Sequence, residues 1–432
     1  MRIENRSGHP NWRRLKIAWL FDDISSGTTP SSTNEEYYKD GEIPWVNTGD
    51  LTDGKLSSVN KKITRKAIAD YPALKVHPKN SLIVALYGAT IGKLAITQFD
   101  VTTNQACCVL NQPRNINIDF VFYWFLANRE GIIQRSVGGG QKNISQGIIR
   151  SLRIDVPSLT VQNRIINFLD QKTSEIDTLI SDKEKLIALL EEKRQAIITE
   201  TVTKGLNPDV KMKDSGVEWI GEIPEHWEIS SLNLHLKESK TKNIGNKEKN
   251  VLSLSYGRIK RRNIKNNFGL LPESFETYRV VKNGDIVLRL TDLQNDKRSL
   301  RVGLVKEKGI ITSAYLTLVP NQNILSEYAS LLLHAYDLKK VFYGFGSGVR
   351  QSIGFQELKK LPILLPSKEE QYDICIYLKN FTENIDETLI QLKEQITKLK
   401  EYRQSLIYEA VTGKIDIQEM LKETEQEEVS SS

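Results

Sequence analysis

Shifted by 209 residues, the chain matches itself. Gly139–Thr203 aligns without a gap to Gly348–Thr412, and 21 of these 65 positions are identical. The identities include Ile144/Ile353, Pro157/Pro366, Gln162/Gln371, Ile176/Ile385, Asp177/Asp386, Arg194/Arg403, Gln195/Gln404 and Glu200/Glu409. The period is far too long for a solenoid of small repeats. It marks a duplicated module, each copy a globular head followed by a long helix. At 432 residues the chain also exceeds one ordinary domain.

The helical halves carry a heptad pattern. Every seventh residue from Leu169 gives Leu169, Ile176, Lys183, Leu190 and Ile197, and the second copy gives Leu378, Ile385, Leu392, Leu399 and Leu406. Leu179, Ile180, Leu186 and Ile187, with Leu389 and Ile396 in copy two, widen this into a stripe. No Pro or Gly interrupts Val161–Thr203 or Glu369–Thr412, so each helix can extend ~65 Å at 1.5 Å per residue. A lone helix of this kind leaves an apolar seam in water, and its duplicate is the natural cover. The pattern does not state whether the pairing is within one chain or between chains; carrying both helices makes the intramolecular pair the simpler choice.

The heads read as α/β. Runs at Ser81–Leu86 and Cys107–Leu110 in copy one, and at Val251–Ser255, Asp285–Leu290 and Ala314–Val319 in copy two, have strand character between turn clusters. Helix-like runs follow at Phe120–Asn128 and Glu327–Tyr336, then a Gly-rich loop and a strand before the repeated Pro. The expected class is α+β, two mixed α/β heads joined by two long antiparallel coiled-coil helices with an internal pseudo-two-fold repeat. The expected boundaries are a head over 1–157, helix and linker over 158–213, a second head over 214–366, its helix over 367–415, and an acidic disordered tail over 416–432.

Charge is distributed unevenly. Residues 236–310 hold 18 Lys and Arg against 8 Asp and Glu, whereas 158–213 hold nine of each. The whole chain is at +6. A basic head beside a neutral helix suits a nucleic-acid grip on a scaffold, and equally a solvated basic surface. No apolar run is long enough to span a bilayer, and the polar start does not read as a signal peptide. The three cysteines, Cys107, Cys108 and Cys375, cannot make a disulfide framework or a four-ligand zinc site, which fits a reducing cytoplasm.

Motifs for chemistry are not found. Gly88-Ala-Thr-Ile-Gly92-Lys93-Leu94 has three residues between its glycines and Leu after Lys. A phosphate-binding loop needs four, then Ser or Thr to hold magnesium. Gly344-Phe-Gly346-Ser-Gly348 lacks the spacing of a dinucleotide fingerprint. His9, His77, His226, His235 and His334 are scattered without ligand spacing and read as surface or cap residues. No catalytic or metal-binding residue is expected.

Three stretches resemble the specificity subunits of type I restriction-modification systems. The first is Ile24-Ser-Ser-Gly27-Thr-Thr-Pro30 with Gly41-Glu-Ile-Pro44-Trp45-Val-Asn-Thr-Gly49-Asp50-Leu51, which looks like the opening of a target-recognition domain. The second is Lys213-Asp-Ser-Gly216-Val-Glu-Trp219-Ile-Gly221-Glu-Ile-Pro224-Glu-His-Trp227, similar to the family's link into a second such domain. The third is the twice-present junction from Pro into a long helix. Copy two lacks a clear Ser-Gly-Thr-x-Pro opening. The resemblance implies a non-catalytic reader of double-stranded DNA in which each head recognises half of a bipartite target. It implies that the helices act as a ruler and dock methyltransferase subunits, two in number, with motor–nuclease subunits joining them. S-adenosylmethionine and ATP with magnesium would sit on those partners, leaving no cofactor on this chain. A half-site separation of ~10 base pairs is the natural scale for paired readers.

Polar and basic residues carried by turns are the DNA-contact candidates. In head one they are Asn47, Thr48, Lys55, Tyr87, Lys93, Gln141, Lys142 and Asn143. In head two they are Arg258, Lys260, Arg261, Arg262 and Asn263, expected in a turn after Val251–Ser255, then Arg289, Lys297, Arg298 and Arg301, then Arg350 in the Gly-rich loop. Arg suits bidentate contact to guanine and Asn to adenine, while Lys mainly grips phosphate. The rival reading is a coiled-coil adaptor that touches no DNA; it accounts for the helices and leaves the basic heads unexplained.

Overall fold

Two repeated glutamines show how each long helix is seated. In the computed structural model, which describes residues 12–136, 143–262, 274–293, 300–345 and 352–415, both are buried. Gln162 Nε2 donates to the Pro157 carbonyl (2.9 Å), and its Oε1 accepts from Asn117 N (2.8 Å). Gln371 makes the same pair of bonds, to the Pro366 carbonyl (3.1 Å) and from Leu325 N (2.8 Å). A buried amide must be satisfied on both sides, and here it ties a helix start to the cap of a second helix.

The chain separates into two compact units, one from Met1–Lys183 with Glu394–Ser432, the other Glu184–Lys393. In the first, strands β1 (Arg13–Lys16), β2 (Phe21–Ser26), β3 (Ile43–Val46), β4 (Gly54–Leu56) and β5 (Lys62–Ile63) precede the short helix α1 (Arg65–Asp70). Then come β6 (Leu82–Ala85), β7 (Leu94–Thr97), β8 (Thr102–Thr103), β9 (Cys107–Pro113), helices α2 (Ile118–Gln134) and α3 (Gln146–Ser151), and β10 (Arg153–Val156). A five-stranded sheet runs in the order β2-β9-β6-β7-β4, antiparallel except for the parallel β4/β7 pair. All of β6 and β7 is buried, as expected of continuous apolar runs. A second sheet runs β5-β3-β8, and β1 pairs with β10. Helix α2 buries Phe120 through Leu126 and is capped by Asn117, whose side chain accepts from Asp119 N (2.9 Å).

Helix α4 (Leu159–Lys204) follows without a break. The second unit adds β11 (Met212–Asp214), β12 (Glu222–Pro224), β13 (Glu228–Ser231), helix α5 (Leu232–His235), β14 (Leu236–Glu238), β15 (Leu252–Ser255) and β16 (Arg258–Arg261). It continues through β17 (Arg279–Val281), β18 (Ile286–Leu288), β19 (Val302–Leu304), β20 (Gly309–Ile311) and β21 (Leu316–Pro320) to helices α6 (Ser326–Leu338) and α7 (Phe355–Leu358), strand β22 (Pro362–Leu365) and helix α8 (Lys368–Val411). Its main sheet, β14-β21-β18-β19, repeats the β2-β9-β6-β7 order of the first head, and β13/β22 repeats β1/β10. The decoration differs: β4 and the β5-β3-β8 sheet on one head, the β15/β16 and β17/β20 pairs on the other.

The helices close each unit with contributions from both repeats. In the first unit Arg403 Nη2 donates to Asp177 Oδ2 (3.1 Å), and Lys183 Nζ to Gln395 Oε1 (2.8 Å). In the second, Arg194 Nη1 donates to Asp386 Oδ1 (3.0 Å). Arg194 and Arg403 are repeat equivalents, as are Asp177 and Asp386, so the two ion pairs are the same pair with the copies exchanged. Such crossing is the signature of antiparallel packing between matched helices.

The seam is narrower than the heptads predict. Leu169, Ile176, Leu378, Ile385, Leu392 and Leu406 are buried, whereas Leu190, Ile197 and Leu399 are half-buried. Leu179 and Leu186, expected to widen the stripe, are exposed; only one edge of each helix faces its partner. Each helix stops at a glycine with positive φ, Gly205 (+79°) and Gly413 (+68°), where a left-handed C-terminal residue is needed. A Cβ there would lie 3.3 Å from Trp227 Cζ2 and 3.0 Å from Trp12 Cζ2 respectively. Thus head two packs on the end of α4, and head one on the end of α8.

Candidate nucleic-acid interface

The turn joining β6 to β7 gathers most of the described candidates in head one. Gly88 (φ +86°) and Gly92 (φ +77°) let it close tightly. Ile91 N donates to the Gly88 carbonyl (3.2 Å), Gly92 N to Ala85 (2.9 Å) and Lys93 N to Thr90 (2.9 Å). Lys93 is exposed at its end. Tyr87 pairs with Asn143 through an isolated antiparallel bridge, and Ile144 N donates to the Leu86 carbonyl (2.8 Å). The structure therefore brings Tyr87, Lys93 and Asn143 together. Gln141 and Lys142 lie outside the described residues.

Asn47, Thr48 and Lys55 lie on a neighbouring loop. Asn47 caps a single 3-10 turn over Thr48–Asp50; its N donates to Asp50 Oδ2 (2.9 Å) and its Oδ1 accepts from Asn104 Nδ2 (3.1 Å). Its amide is thus engaged inside the head. Lys55 is exposed on β4, on the rim of a shallow cleft of about 200 Å³ whose wall includes Ser57, Ser58 and Asn60. Asp53 joins this loop to the Lys93 turn. Its N donates to the Leu94 carbonyl (2.9 Å), its Oδ1 accepts from Leu94 N (3.0 Å), and Arg129 Nη1 of α2 donates to its Oδ2 (3.0 Å). Neither Asp53 nor Arg129 was legible from sequence as a loop support.

In head two, Arg258, Lys260 and Arg261 sit on a strand, not in a turn. The turn is Tyr256–Gly257, where both residues have positive φ (+48° and +73°), as a two-residue hairpin requires. Strand alternation then sorts the cations. Arg258, Lys260 and Arg262 share one face, and Ile259, which packs on the core, shares the other with Arg261. Arg261 Nε donates to both carboxylate oxygens of Glu307 (2.9 and 2.8 Å). That bond raises the guanidinium pKa and lowers the Glu307 carboxyl. Arg258 Nη2 donates to Asp386 Oδ2 on α8 (2.8 Å). Lys260 and Arg262 are exposed.

Arg301 is not on the surface. It is fully buried, and its guanidinium holds the base of the loop between β18 and β19. Arg289 is half-buried at the start of that loop. Asn263, Lys297, Arg298 and Arg350 lie outside the described residues, as does the tail beyond 415. His77 and His235, expected at the surface, are buried. His77 Nδ1 lies 3.0 Å from Asn111 Nδ2 in head one, and burial lowers its pKa. Among the described residues no group of His, Cys, Asp or Glu could hold a metal ion, and no helix is long and apolar enough to cross a membrane.

A family model described as Type I restriction modification DNA specificity domain matches residues 11–189 and again 224–398. The chain belongs to this family. Both matches span a head and most of its helix, so the duplication read from the sequence is the family's domain twice over. The specificity subunit of the type I restriction enzyme MjaVIII, from Methanocaldococcus jannaschii, is 25% identical over an alignment of 428 positions that covers 95% of this chain and 94% of that one. Among solved structures, a chain from work on complex assembly and conformational transition of the type I R-M system superposes with TM-score 0.69 at 16% identity, covering 96% of this chain and all of that one. The HsdS subunit from Thermoanaerobacter tengcongensis superposes with TM-score 0.53 at 15% identity, covering 94% and 98%. At these identities the structural likeness speaks for the fold. Two α/β heads joined by two long antiparallel helices are the family's architecture.

Proposed function

We propose that this chain is the DNA-recognition subunit of a type I restriction-modification complex and carries no catalytic site. Each head reads one half of a bipartite target. One observation carries this reading: both heads share a four-strand frame and a helix junction, yet differ in the loops and cations mounted on that frame. A duplicated scaffold with divergent tips is suited to reading two different sequences. Lys55, Tyr87, Lys93 and Asn143 in head one, and Lys260, Arg262 and Arg289 in head two, are the described residues best placed for DNA. Cations at such tips grip phosphate, while Asn and Arg can address base edges. The helices act as spacer and as docking surface for two methyltransferase subunits, which motor–nuclease subunits join. S-adenosylmethionine and ATP with magnesium bind to those partners, in the cytoplasm.

Exchanging residues 14–150 for the head of a relative tests this. In the assembled methyltransferase the methylated motif is expected to change in one half and keep its other half and its spacing. A motif altered in both halves, or DNA binding insensitive to salt, overturns the reading.

A further inference from the structure

Arg301 and Lys93 occupy the same place in the two heads. Ala85 N donates to the Lys93 carbonyl (2.8 Å), and Arg289 N to that of Arg301 (2.9 Å). One residue before them stand Leu300 and Gly92. In head one this place is the turn where Tyr87, Lys93 and Asn143 come together. In head two the tip of the β15–β16 ribbon reaches it. Gly257 packs there on Leu300: a Cβ at Gly257 would lie 3.2 Å from Leu300 Cβ. The ribbon tip and the Lys93 turn thus share one end of the common four-strand frame, although the ribbon belongs to the decoration of head two.

The ribbon is pinned on both faces. Leu252, Leu254 and Ile259 turn inward, and Gly303 of β19 makes room for them, since a Cβ there would meet Leu254 Cδ1 at 2.6 Å and Ile259 Cδ1 at 3.0 Å. Ser253, Ser255, Arg258 and Lys260 form the outer face, from which Arg258 reaches Asp386 on α8 (2.8 Å). Tyr256 is left outside this packing. It is 81% exposed, more than any other large apolar side chain among the described residues. Its φ of +48° is a left-handed conformation that bulky side chains avoid, and Asn, Asp or Gly fills this position of a two-residue hairpin without that strain. So exposed a ring offers little burial to offset the strain, and strain of this kind collects where a side chain meets a ligand.

We propose that Tyr256 is a base contact of head two: the β15–β16 ribbon enters the major groove by its tip, the tyrosine ring packs on base edges, and Lys260 on the outer face meets phosphate. This rests on the reading that head two binds a half-site. The major groove admits a two-stranded ribbon. A cation beside the groove grips any sequence, whereas a ring set against base edges senses their shape. The pinned ribbon holds that ring in register.

The test uses the full chain assembled with its methyltransferase partner, with Tyr256→Gly and Tyr256→Phe. Glycine adopts the positive φ freely, so the hairpin closes while the ring is gone. Should that variant fail to fold, Tyr256→Asn, which makes the favoured Asn-Gly turn, takes its place with the same outcomes. Affinity is measured for the cognate site and for single-base variants in each half, the half read by head one being identified by the head exchange above. In Tyr256→Gly, discrimination in head two's half is expected to fall by about 5- to 150-fold at the contacted base pair. The other half keeps its discrimination, and the slope of affinity against salt is unchanged because the lost side chain is uncharged. Tyr256→Phe keeps the ring and retains the discrimination; a loss as large as in the glycine variant would overturn the ring contact. Unchanged discrimination in both halves, or equal loss in both, refutes the proposal. Weaker methyltransferase assembly at unaltered discrimination also refutes it, and makes the tip a protein contact. Absence of sequence-specific binding by the unaltered complex refutes the parent reading instead.

Discussion

The two heads solve one problem with opposite charges. Twelve residues past the equivalent caps Asn117 and Leu325, α2 carries Arg129 and α6 carries Asp337. Arg129 acts through Asp53, which receives Leu94 N; Asp337 receives Arg301 N directly. Each arrangement anchors the strand that follows the loop, β7 or β19. The difference teaches that a basic residue in a recognition head need not be aimed at DNA. Arg301 is buried and holds backbone carbonyls, whereas Lys93 at the equivalent place is exposed.

The sharpest test of this contrast is the matched pair Arg301→Met and Lys93→Met. Leaving the Arg289 and Thr291 carbonyls without their donor is expected to cost about 2–5 kcal/mol. Removing the exposed Lys93 should change stability by less than ~0.5 kcal/mol. Hydrogen exchange over 286–304 and over 82–97 reads the two heads separately; equal effects would erase the distinction. Where the heads agree, their variants should agree too. Gln162→Leu and Gln371→Leu each strand a buried N–H and a carbonyl and should destabilise their own unit by about 1–3 kcal/mol; unequal losses would break the equivalence of the two junctions. A smaller effect is expected at the helices. Asp386→Asn releases both Arg194 and Arg258, whereas Asp177→Asn releases Arg403. These side chains are 34% and 54% exposed, so solvent screening keeps each below ~1 kcal/mol, with Asp386 the larger. Thermal unfolding of the two variants side by side measures the order. Least in stability and clearest in binding, Lys260→Ala should lower the salt slope by about one unit. Arg261→Ala, whose guanidinium is held by Glu307, should leave the slope as it was.

The repeat made the architecture legible. Heptads, the Pro-to-helix junction and the strand-like runs at Ser81–Leu86 and Asp285–Leu290 all have local signals, and the structure places β6 and β18 within those runs. The site was harder to read. Composition counts Arg301 as a surface cation and Arg261 as a free one, because burial and the partner Glu307 are properties of packing across the chain. Arg258 through Arg261 read as a turn since Tyr256-Gly257 lacks the Asn-Gly signature of a two-residue hairpin. The Arg129/Asp337 relation lies outside the stretch that aligns by identity, so no residue match pointed to it. Leu179 and Leu186 read as seam because a heptad count does not fix how wide a face a partner covers.

The crossed helices also set an order of assembly on the ribosome. The second unit is one continuous stretch of chain, so all of it can fold once residue 393 has emerged. The first is split: Asp177 waits for Arg403, 226 residues later, and Trp12 for the glycine at the end of α8. At ~5–20 residues per second that interval is roughly 10–45 s, during which the edge of α4 that meets α8 through Asp177 and Lys183 has no native cover. The head made first is therefore the last to close, and a nascent chain of this kind passes through a stage at which chaperone capture and proteolysis act on its N-terminal half while its middle is already folded.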